Sequence, residues 1–271
     1  MKVFINHPVN SIGNPASSAR IPSWGSAVRF SGGLPASGNQ MANKNGIPLW
    51  KRILDISFIV LISPVLVPLG LTVVAIIRAV SRGPIFFKQE RVGYHGKKFL
   101  CFKFRTMHVG VDSVSHEGHL RQLIQTDAPM VKLDTRDPRI IPLGVLLRSA
   151  GLDELPQLIN VLRGEMSMVG PRPCLPYEYE QYLPWQRKRF NAAPGLTGLW
   201  QVSGKNRTTF TEMISMDIDY GKRRSLWLDL QIIFKTIPAL LVQISDTHKR
   251  KNAPSKDAAP EPILRAPVVP Q

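Results

Sequence analysis

The sequence contains few cysteines and few acidic residues. The first shortage limits metal and disulfide chemistry, and the second limits the kind of partner that the protein can bind. Only two cysteines occur in 271 residues, Cys101 and Cys174, and they lie far apart without metal-ligand spacing. We therefore expect reduced, structural thiols in a cytoplasmic domain. Asp and Glu number 19 against 35 Lys and Arg, which gives a net charge of +16. Such a surplus suits anionic partners: nucleic acid, phosphorylated substrates or the negative inner leaflet of a membrane.

Several common motifs are also missing. The chain has no Walker loop, no dinucleotide-binding glycine fingerprint, no zinc spacing and no Gly-x-Ser-x-Gly elbow. It has no recognisable nucleic-acid-binding module either, so we expect no nucleic-acid partner in spite of the charge. A phosphorylated substrate and a membrane surface remain as the candidate anionic partners.

Both ends of the chain lack the pattern of a folded segment. Residues 1–46 contain no acidic residue and are rich in Gly, Ser, Asn and Pro, so they predict a disordered basic arm. The apolar stretch Val3-Phe4-Ile5 is too short for a secretory signal. Residues 246–271 predict a disordered tail.

One segment is apolar enough for a membrane. Residues 53–80 would span roughly 42 Å as a straight helix, more than the roughly 30 Å hydrocarbon core. Pro64 and Pro68 each remove a backbone donor, and Ser63 is placed to hydrogen-bond a backbone group that is set free. Basic residues flank both ends, which indicates that both are cytoplasmic. We therefore predict a re-entrant helix over residues 47–82 with a break at Ser63-Pro64; a kinked transmembrane anchor is the alternative.

The remainder, residues 83–245, predicts a cytoplasmic catalytic domain. Two aromatic-rich runs flank Gly93-Tyr94-His95-Gly96, a hairpin signal. Helical patterns dominate from about Leu143, and the last apolar run, from Leu226, contains enough polar residues to indicate an interfacial or core-packed helix. The predicted fold class is α+β, mostly α, with a small β-hairpin, interfacial helices and the re-entrant helix–break–helix.

The candidate chemistry centres on Asp153 and Glu154, which we call the dyad. Pro156 and the periodic pattern after it predict a helix that starts here, so Asp153 is either an N-cap or a functional carboxylate. A helix N-terminus stabilises an anion and binds phosphate, which favours the functional interpretation. Arg172, between two prolines, suits bidentate phosphate binding. The alternative is that Pro-Arg-Pro is a plain turn with a solvated arginine.

Further candidates surround the dyad in the sequence. Arg136, Arg139 and Arg148 indicate a pyrophosphate environment, although each alone could be an ordinary solvated or salt-bridged side chain. The Gly-rich run 193–206 places Trp200 and Gln201 where an aromatic ring and an amide could contact a base or sugar. A buried Trp that packs a turn is the simpler interpretation of that run.

These blocks together resemble a known family. From about Lys51 to Leu241 the chain is similar to the monotopic bacterial sugar transferases, or polyprenyl-phosphate phosphoglycosyl transferases. The shared blocks, in order, are "KRILD", the "SP" break, "QERVG", "KFRTM", "LDELPQLINVLRGEMSMVGPRP", "GLTGLWQVSG", "DIDY" and "SLWLDLQIIFKTI". Any one block would be weak evidence, but their order makes the resemblance specific.

The resemblance implies a two-step transfer at the inner leaflet. Asp153 would attack the sugar-linked phosphate of a UDP-sugar, with a hexose such as glucose or galactose expected, and undecaprenyl phosphate would then accept the phosphosugar. Glu154 would complete the dyad, Arg172 would hold phosphate, and Mg²⁺ would lie beside Asp153. Homo-oligomerisation is left open. An inactive basic adaptor on the same scaffold is the rival hypothesis, and the intact Asp153, Glu154 and Arg172 argue against it.

Two positions depart from the family pattern. Gly151 stands where many members have Ser, and Lys205 stands where many have Arg. We expect the first change to loosen a local cap and the second to weaken a bidentate contact.

Overall fold

The computed structural model describes residues 46–108, 118, 126, 129, 137 and 139–252, without the side chains of 206 and 248–252. The predicted arm at 1–46, apart from Gly46, and the tail beyond Asn252 lie outside these residues. The described part is mostly helical with two small sheets, which confirms the α+β, mostly α class.

The apolar segment forms one long helix, α1 (Leu49–Val80), of 32 residues. The predicted break at Ser63-Pro64 does not interrupt it, since Pro64 and Pro68 both lie inside the helix. Pro64 has no N–H for the carbonyl of Val60, four residues earlier. The Ser63 hydroxyl donates to that carbonyl at 2.8 Å. Ser63 thus supplies the hydrogen bond that Pro64 cannot, which explains why the helix continues.

The first turns of α1 are held to the rest of the protein by polar groups. Lys51 donates to Tyr220 Oη at 3.0 Å and forms a buried ion pair with Asp229. Arg52 donates to two carbonyls, of Val161 and Leu162. Loss of one partner from a buried ion pair typically costs about 3–5 kcal/mol, so Lys51 fixes this end of α1 firmly.

The last turns of α1 contact the same domain. Val73 and Ile77 are almost fully buried against Phe104, Ile141 and Leu147. Just beyond the helix, the Arg105 guanidinium donates to Ser81 Oγ at 2.8 Å. Large apolar side chains between these two ends are exposed: Val60, Leu61, Val65, Val67 and Leu71. The two ends of α1 are therefore fixed and its middle is uncovered.

The predicted hairpin is present. Strands β1 (Phe86–Val92) and β2 (Lys98–Phe104) pair antiparallel, with Gln89 opposite Cys101. A 3₁₀ turn (Tyr94–Gly96) joins them, and Gly96 has φ +75°, which glycine adopts without strain.

Three short elements follow: α2 (Gly144–Ser149), a 3₁₀ turn (Leu152–Glu154) and α3 (Gln157–Arg163). The apolar residues of α3 are divided between two sides, since Val161 is buried while Ile159 and Leu162 are exposed. The buried side also carries Asn160, whose amide accepts from Phe102 N at 3.1 Å and donates to Leu100 O at 2.7 Å. Asn160 thus fastens α3 to β2 through hydrogen bonds.

A parallel pair, β3 (Ser167–Val169) and β4 (Gly195–Thr197), lies at the centre. Gly170 and Gly195 let the two backbone segments approach so closely that a Cβ on Gly195 would lie 2.0 Å from Gly170 N. Between the strands come α4 (Pro176–Gln181) and a 3₁₀ helix (Gln186–Asn191). After β4 come α5 (Leu199–Val202) and a 3₁₀ turn (Lys205–Arg207).

Two longer helices complete the described chain, α6 (Phe210–Arg223) and α7 (Leu226–Asn252). Helix α7 runs seven residues into the region 246–271 that the sequence predicted as tail, so that boundary was placed too early. Both α1 and residues 226–247 of α7 are long and apolar enough to cross a membrane.

The polar residues of α7 bind the core. Asp229 pairs with Lys51, the Thr236 and Thr197 hydroxyls lie 2.8 Å apart, and the Gln243 amide donates to Arg148 O at 3.3 Å. The opposite face exposes a stripe of large apolar side chains: Trp227, Phe234, Ile237 and Leu241. The helix is therefore held along one side and apolar on the other.

Candidate active site

Asp153 lies in the 3₁₀ turn between α2 and α3 and is 8% exposed. The turn starts from Gly151, which has φ +70°. A serine at this position would adopt that conformation only with strain, so glycine fits the turn. Gly151 is the N-cap of the turn and supplies no side-chain hydrogen bond, and the expected loosening of this cap stays a prediction. Pro156 occupies the N-cap position of α3, so the N-cap interpretation of Asp153 was wrong.

The helix that follows the dyad is short. Helix α3 has seven residues, about two turns, so its dipole gives less support to an anion than a long helix would. The environment of the dyad therefore depends on its neighbouring side chains.

Glu154 has a cationic partner on the hairpin. Lys103 Nζ on β2 lies 2.7 Å from Glu154 Oε1, with the Lys103 side chain 21% exposed and that of Glu154 39% exposed. An ion pair this exposed contributes about 1 kcal/mol or less to stability. Its main consequence is geometric, since it fixes one oxygen of Glu154 against β2.

One face of the hairpin carries both Lys103 and Arg91. Residues two apart on a strand share a face, so Lys103 and Cys101 lie on the same side as Gln89 and Arg91 of β1. Arg91 is buried and donates to Gln89 Oε1 at 2.7 Å.

The Cys101 thiol shows which charges surround this face. Burial is the largest cause and raises the pKa of the thiol. The positive charges of Lys103, Arg91 and Arg172 lower this pKa, and the negative charge of Glu154 raises it. Glu154 and Arg172 therefore both act on the middle of β2. Arg172 itself is partly buried. Glu154 and Arg172, 18 residues apart in the chain, thus have opposite effects on the pKa of the same buried thiol.

The other arginine candidates lie elsewhere or have partners. Arg136 lies outside the described residues. Arg139 donates from Nε and Nη2 to Asp137 at 2.8 and 2.6 Å, and this hydrogen bonding lowers the pKa of the Asp137 carboxyl. Arg148 lies on α2 and also lowers that pKa through its charge. The fork of Arg139 is therefore engaged by a carboxylate of the chain itself.

The Gly-rich run, residues 193–206, packs against the rest of the domain and does not form an open loop. Trp200 is 3% exposed, and its indole N–H donates to Thr208 Oγ1 at 2.6 Å, as expected for a Trp that packs a turn. Gln201 Nε2 lies 3.5 Å from Leu196 O, a long contact. Gln201 Oε1 is buried with no hydrogen-bond partner among the described residues. Lys205 donates to Gln243 Oε1 at 2.5 Å, so it has a structural contact to α7.

Five residues of this region were missed by the sequence analysis: Lys103, Arg91, Asn160, Arg189 and Asp217. Strand alternation gave a usable signal for Lys103, which shares a face with Cys101 in the predicted hairpin. Asn160 gave a weak signal as the polar residue between Ile159 and Val161. Nothing distinguished Arg189 from its basic neighbours in "QRKRFN".

The carboxylates limit what metal the site could hold. No group of three or more His, Cys, Asp or Glu side chains comes together within the described ranges. Two adjacent carboxylates remain at the dyad. Mg²⁺ is often bound by one or two carboxylates together with phosphate oxygens of a substrate, so this donor set fits Mg²⁺ shared with a phosphate ligand.

Two helices are apolar enough for a membrane, and an Asp–Glu pair lies beside a lysine of the hairpin. Sequence comparison gives the family. The bacterial sugar transferase family matches residues 47–243. The chain belongs to this family, which confirms the resemblance seen in its motifs and its expected activity as a sugar-phosphate transferase.

Individual relatives extend this result. The chain is 42% identical over 177 residues to the exopolysaccharide production protein ExoY of Rhizobium meliloti, covering 64% of this chain and 77% of that protein. It is 40% identical over 204 residues to the UDP-glucose:undecaprenyl-phosphate glucose-1-phosphate transferase of Caulobacter vibrioides, covering 72% and 71%. It is 42% identical over 166 residues to the undecaprenyl-phosphate galactose phosphotransferase of Salmonella typhimurium, covering 59% of this chain and only 34% of that protein.

Proposed function

We propose that this protein transfers a hexose 1-phosphate from a UDP-sugar to undecaprenyl phosphate and releases UMP, as an early membrane step of exopolysaccharide or O-antigen synthesis. The observation that carries the proposal is the contact of Glu154, the neighbour of Asp153, with Lys103 of the hairpin at 2.7 Å. The charges of Glu154 and Arg172, which both act on the Cys101 thiol of the same strand, support it. Relatives named for glucose-1-phosphate and galactose phosphate transfer to the same lipid support it.

The transfer proceeds in two displacements at phosphorus. A carboxylate oxygen of Asp153 forms a bond to the phosphorus next to the sugar, and the bond from that phosphorus to the bridging oxygen breaks. UMP leaves with the electron pair. A phosphate oxygen of undecaprenyl phosphate then attacks the same phosphorus, and the Asp153 carboxylate is released. Arg172 binds the phosphate oxygens, and Glu154 handles charge and protons beside the nucleophile.

Mg²⁺ is the cofactor we propose, held by Asp153 with Glu154 as its neighbour. When bound, it would neutralise charge on the phosphate oxygens of the donor. Gln201, Arg136, Arg139 and Arg148 remain proposed substrate contacts. Among them, Arg139 would have to exchange its partner Asp137 for a phosphate.

The membrane arrangement follows from how α1 is held. Its N-terminal turns bind the domain through Lys51 and Arg52, and its C-terminal turns do so through Val73 and Ile77. A helix that crossed the bilayer would place its two ends on opposite sides. We therefore propose that α1 is re-entrant, that its exposed middle enters the inner leaflet, and that the catalytic domain faces the cytoplasm.

Helix α7 has a different place. It is long enough to span, yet Asp229, Thr236 and Gln243 bind it to the core over four turns. Crossing the bilayer would break these contacts. We propose that it lies at the interface, with Trp227 and Phe234 toward the lipid.

The experiment that tests the function uses the purified full chain in detergent. It is incubated with Mg²⁺, undecaprenyl phosphate and, in turn, UDP-glucose, UDP-galactose and their N-acetyl derivatives, and UMP is quantified. We expect UMP release that depends on the lipid phosphate, with a hexose preferred. Release of UDP, or no nucleotide product from any donor, would contradict the proposal.

A further inference from the structure

The backbone that carries Arg172 is held at every carbonyl from residue 171 to 174. The outer two are held by backbone donors in the ordinary way. Gly195 N donates to Pro171 O at 2.9 Å, and Val92 N donates to Cys174 O at 2.9 Å. The segment is thus joined to β4 on one side and to β1 on the other.

The inner two carbonyls are held by buried arginine side chains. Arg189 Nη2 donates to Arg172 O at 2.8 Å, and Arg91 Nη1 donates to Pro173 O at 3.2 Å. Arg189 is 1% exposed and Arg91 is 7% exposed. Removing guanidinium groups from water is costly, and a neutral donor would satisfy a carbonyl without that cost. What a guanidinium adds is a planar fork that fixes several partners at once.

Arg189 uses its fork in this way. Its Nη2 also donates to Asp217 Oδ2 at 2.5 Å, and its Nη1 donates to Tyr182 Oη at 2.8 Å. Asp217 is 1% exposed and lies on α6, in the "DIDY" block. Arg189 therefore connects α6 to the backbone of Arg172 through a charge pair closed to solvent.

The position of this contact matters for the side chain of Arg172. Pro171 and Pro173 have fixed φ angles, and a residue before proline is restricted as well. Gly195 N holds the peptide plane before Arg172 through Pro171 O, and Arg189 holds the plane after it through Arg172 O. With both planes held, the Cα–Cβ bond of Arg172 has one direction, and this sets where the side chain starts.

We infer that Arg189, held by Asp217, is a positioning residue that sets the reach of the Arg172 guanidinium toward the phosphates of the nucleotide-sugar. The inference rests on the proposed role of Arg172. Arg189 does not touch substrate in this account. It acts through the Arg172 carbonyl. The effect of Arg189 on KM should therefore disappear when Arg172 has no guanidinium group.

A double-mutant cycle with Arg189→Lys and Arg172→Lys tests this coupling. KM and kcat for the nucleotide-sugar that the wild-type protein prefers are measured by UMP release, and melting temperatures are measured alongside. In the wild-type background we expect Arg189→Lys to raise KM at least fivefold and to change kcat less than twofold. In the Arg172→Lys background it should change KM less than twofold.

The outcomes separate the two proposals. An equal rise in KM in both backgrounds would overturn the positioning role, because Arg189 would then act independently of Arg172. Unchanged kinetics with a lower melting temperature would also overturn it and leave a structural pair only. Wild-type kcat/KM in Arg172→Lys alone would instead remove the proposed role of Arg172, whatever Arg189 does.

A second variant covers the case in which Arg189→Lys does not fold. Asp217→Asn keeps the size of the side chain and weakens the hold on Arg189, so it replaces Arg189→Lys in the same cycle with the same expectations. Asp219→Asn is its matched control, because Asp219 lies two residues away and forms an exposed pair with Arg223 at 2.9 Å. That control should leave KM within twofold of wild type. If neither Arg189→Lys nor Asp217→Asn folds, the pair serves stability and the positioning role is rejected.

Discussion

Lys103 Nζ on β2 lies 2.7 Å from Glu154 Oε1 in the turn before α3, and this contact joins the hairpin to the proposed dyad. The two residues are 51 positions apart in the chain. Lys103 therefore connects a strand that is recognisable from sequence with a carboxylate whose surroundings are not.

Lys103→Met should lower turnover strongly while the protein stays folded. Methionine keeps most of the length of the side chain but loses the charge that holds Glu154. Because the pair is partly exposed, stability should fall by about 1 kcal/mol or less. UMP release and melting temperature measure the two effects. Lys98→Met, which removes a lysine from an exposed pair with Glu90 on the same hairpin, is the control and should be near wild type. Full activity in Lys103→Met would show that the contact is incidental.

Arg172→Lys should reduce kcat/KM at least tenfold. Lysine keeps the charge but loses the planar fork that binds two phosphate oxygens at once. Arg223→Lys, in an exposed pair on α6, is the matched control for a guanidinium that has no proposed role. Activity of Arg172→Lys within twofold of wild type would make Arg172 an ordinary turn residue.

The two native cysteines should resist alkylation in the folded protein. Burial raises the pKa of the Cys174 thiol to about 12, and burial also raises the pKa of Cys101. At pH 8 the Cys174 thiolate would then be about one part in ten thousand, and the thiolate is the reactive form. Intact-mass measurement after iodoacetamide treatment should show no adduct in native protein and two adducts after denaturation. Rapid labelling of the native protein would mean that these side chains are accessible.

Unreactive native thiols make a topology test direct. Single cysteines placed at Leu49, before the membrane segment, and at Lys88, after it, should both stay unlabelled by an impermeant thiol reagent in intact cells. Both positions are exposed, so both should react once the cells are permeabilised. Labelling of the Leu49 position alone in intact cells would establish a transmembrane helix and reject the re-entrant arrangement.

Local patterns in the sequence predicted much of the fold. The predicted membrane segment, residues 47–82, agrees with α1 to within two residues at each end, and the Gly-rich turn predicted the hairpin. The effect of Pro64 was predicted wrongly, because the hydroxyl of Ser63 takes over the hydrogen bond that proline lacks. The periodic pattern after Pro156 predicted α3, but periodicity does not tell whether an apolar side chain packs on protein or is left uncovered, as Ile159 and Leu162 are.

The sequence predicted less of the candidate site than of the fold. Asp153, Glu154 and Arg172 were found because they lie in recognisable blocks. The contacts that fix them join residues far apart in the chain, such as Lys103 with Glu154 and Arg189 with Arg172. Hydrogen bonds of this kind depend on how helices and strands come together, and no local spacing indicates them. Arg139 is the opposite case, since its ion-pair partner Asp137 lies only two residues away in the sequence.

The central claim is that Asp153 is the nucleophile, and trapping the covalent intermediate tests it most directly. The full chain is incubated with Mg²⁺ and a nucleotide-sugar labelled in the sugar, without lipid acceptor, then digested and analysed by mass spectrometry. Asp153→Asn keeps the size and most of the polarity of the side chain, so the turn should fold, but it removes the attacking oxygen. Wild-type protein should retain a hexose phosphate on the peptide that contains Asp153, undecaprenyl phosphate should discharge it, and Asp153→Asn should retain none. Label on another residue, or robust transfer by Asp153→Asn, would contradict the account and indicate direct attack by the lipid phosphate.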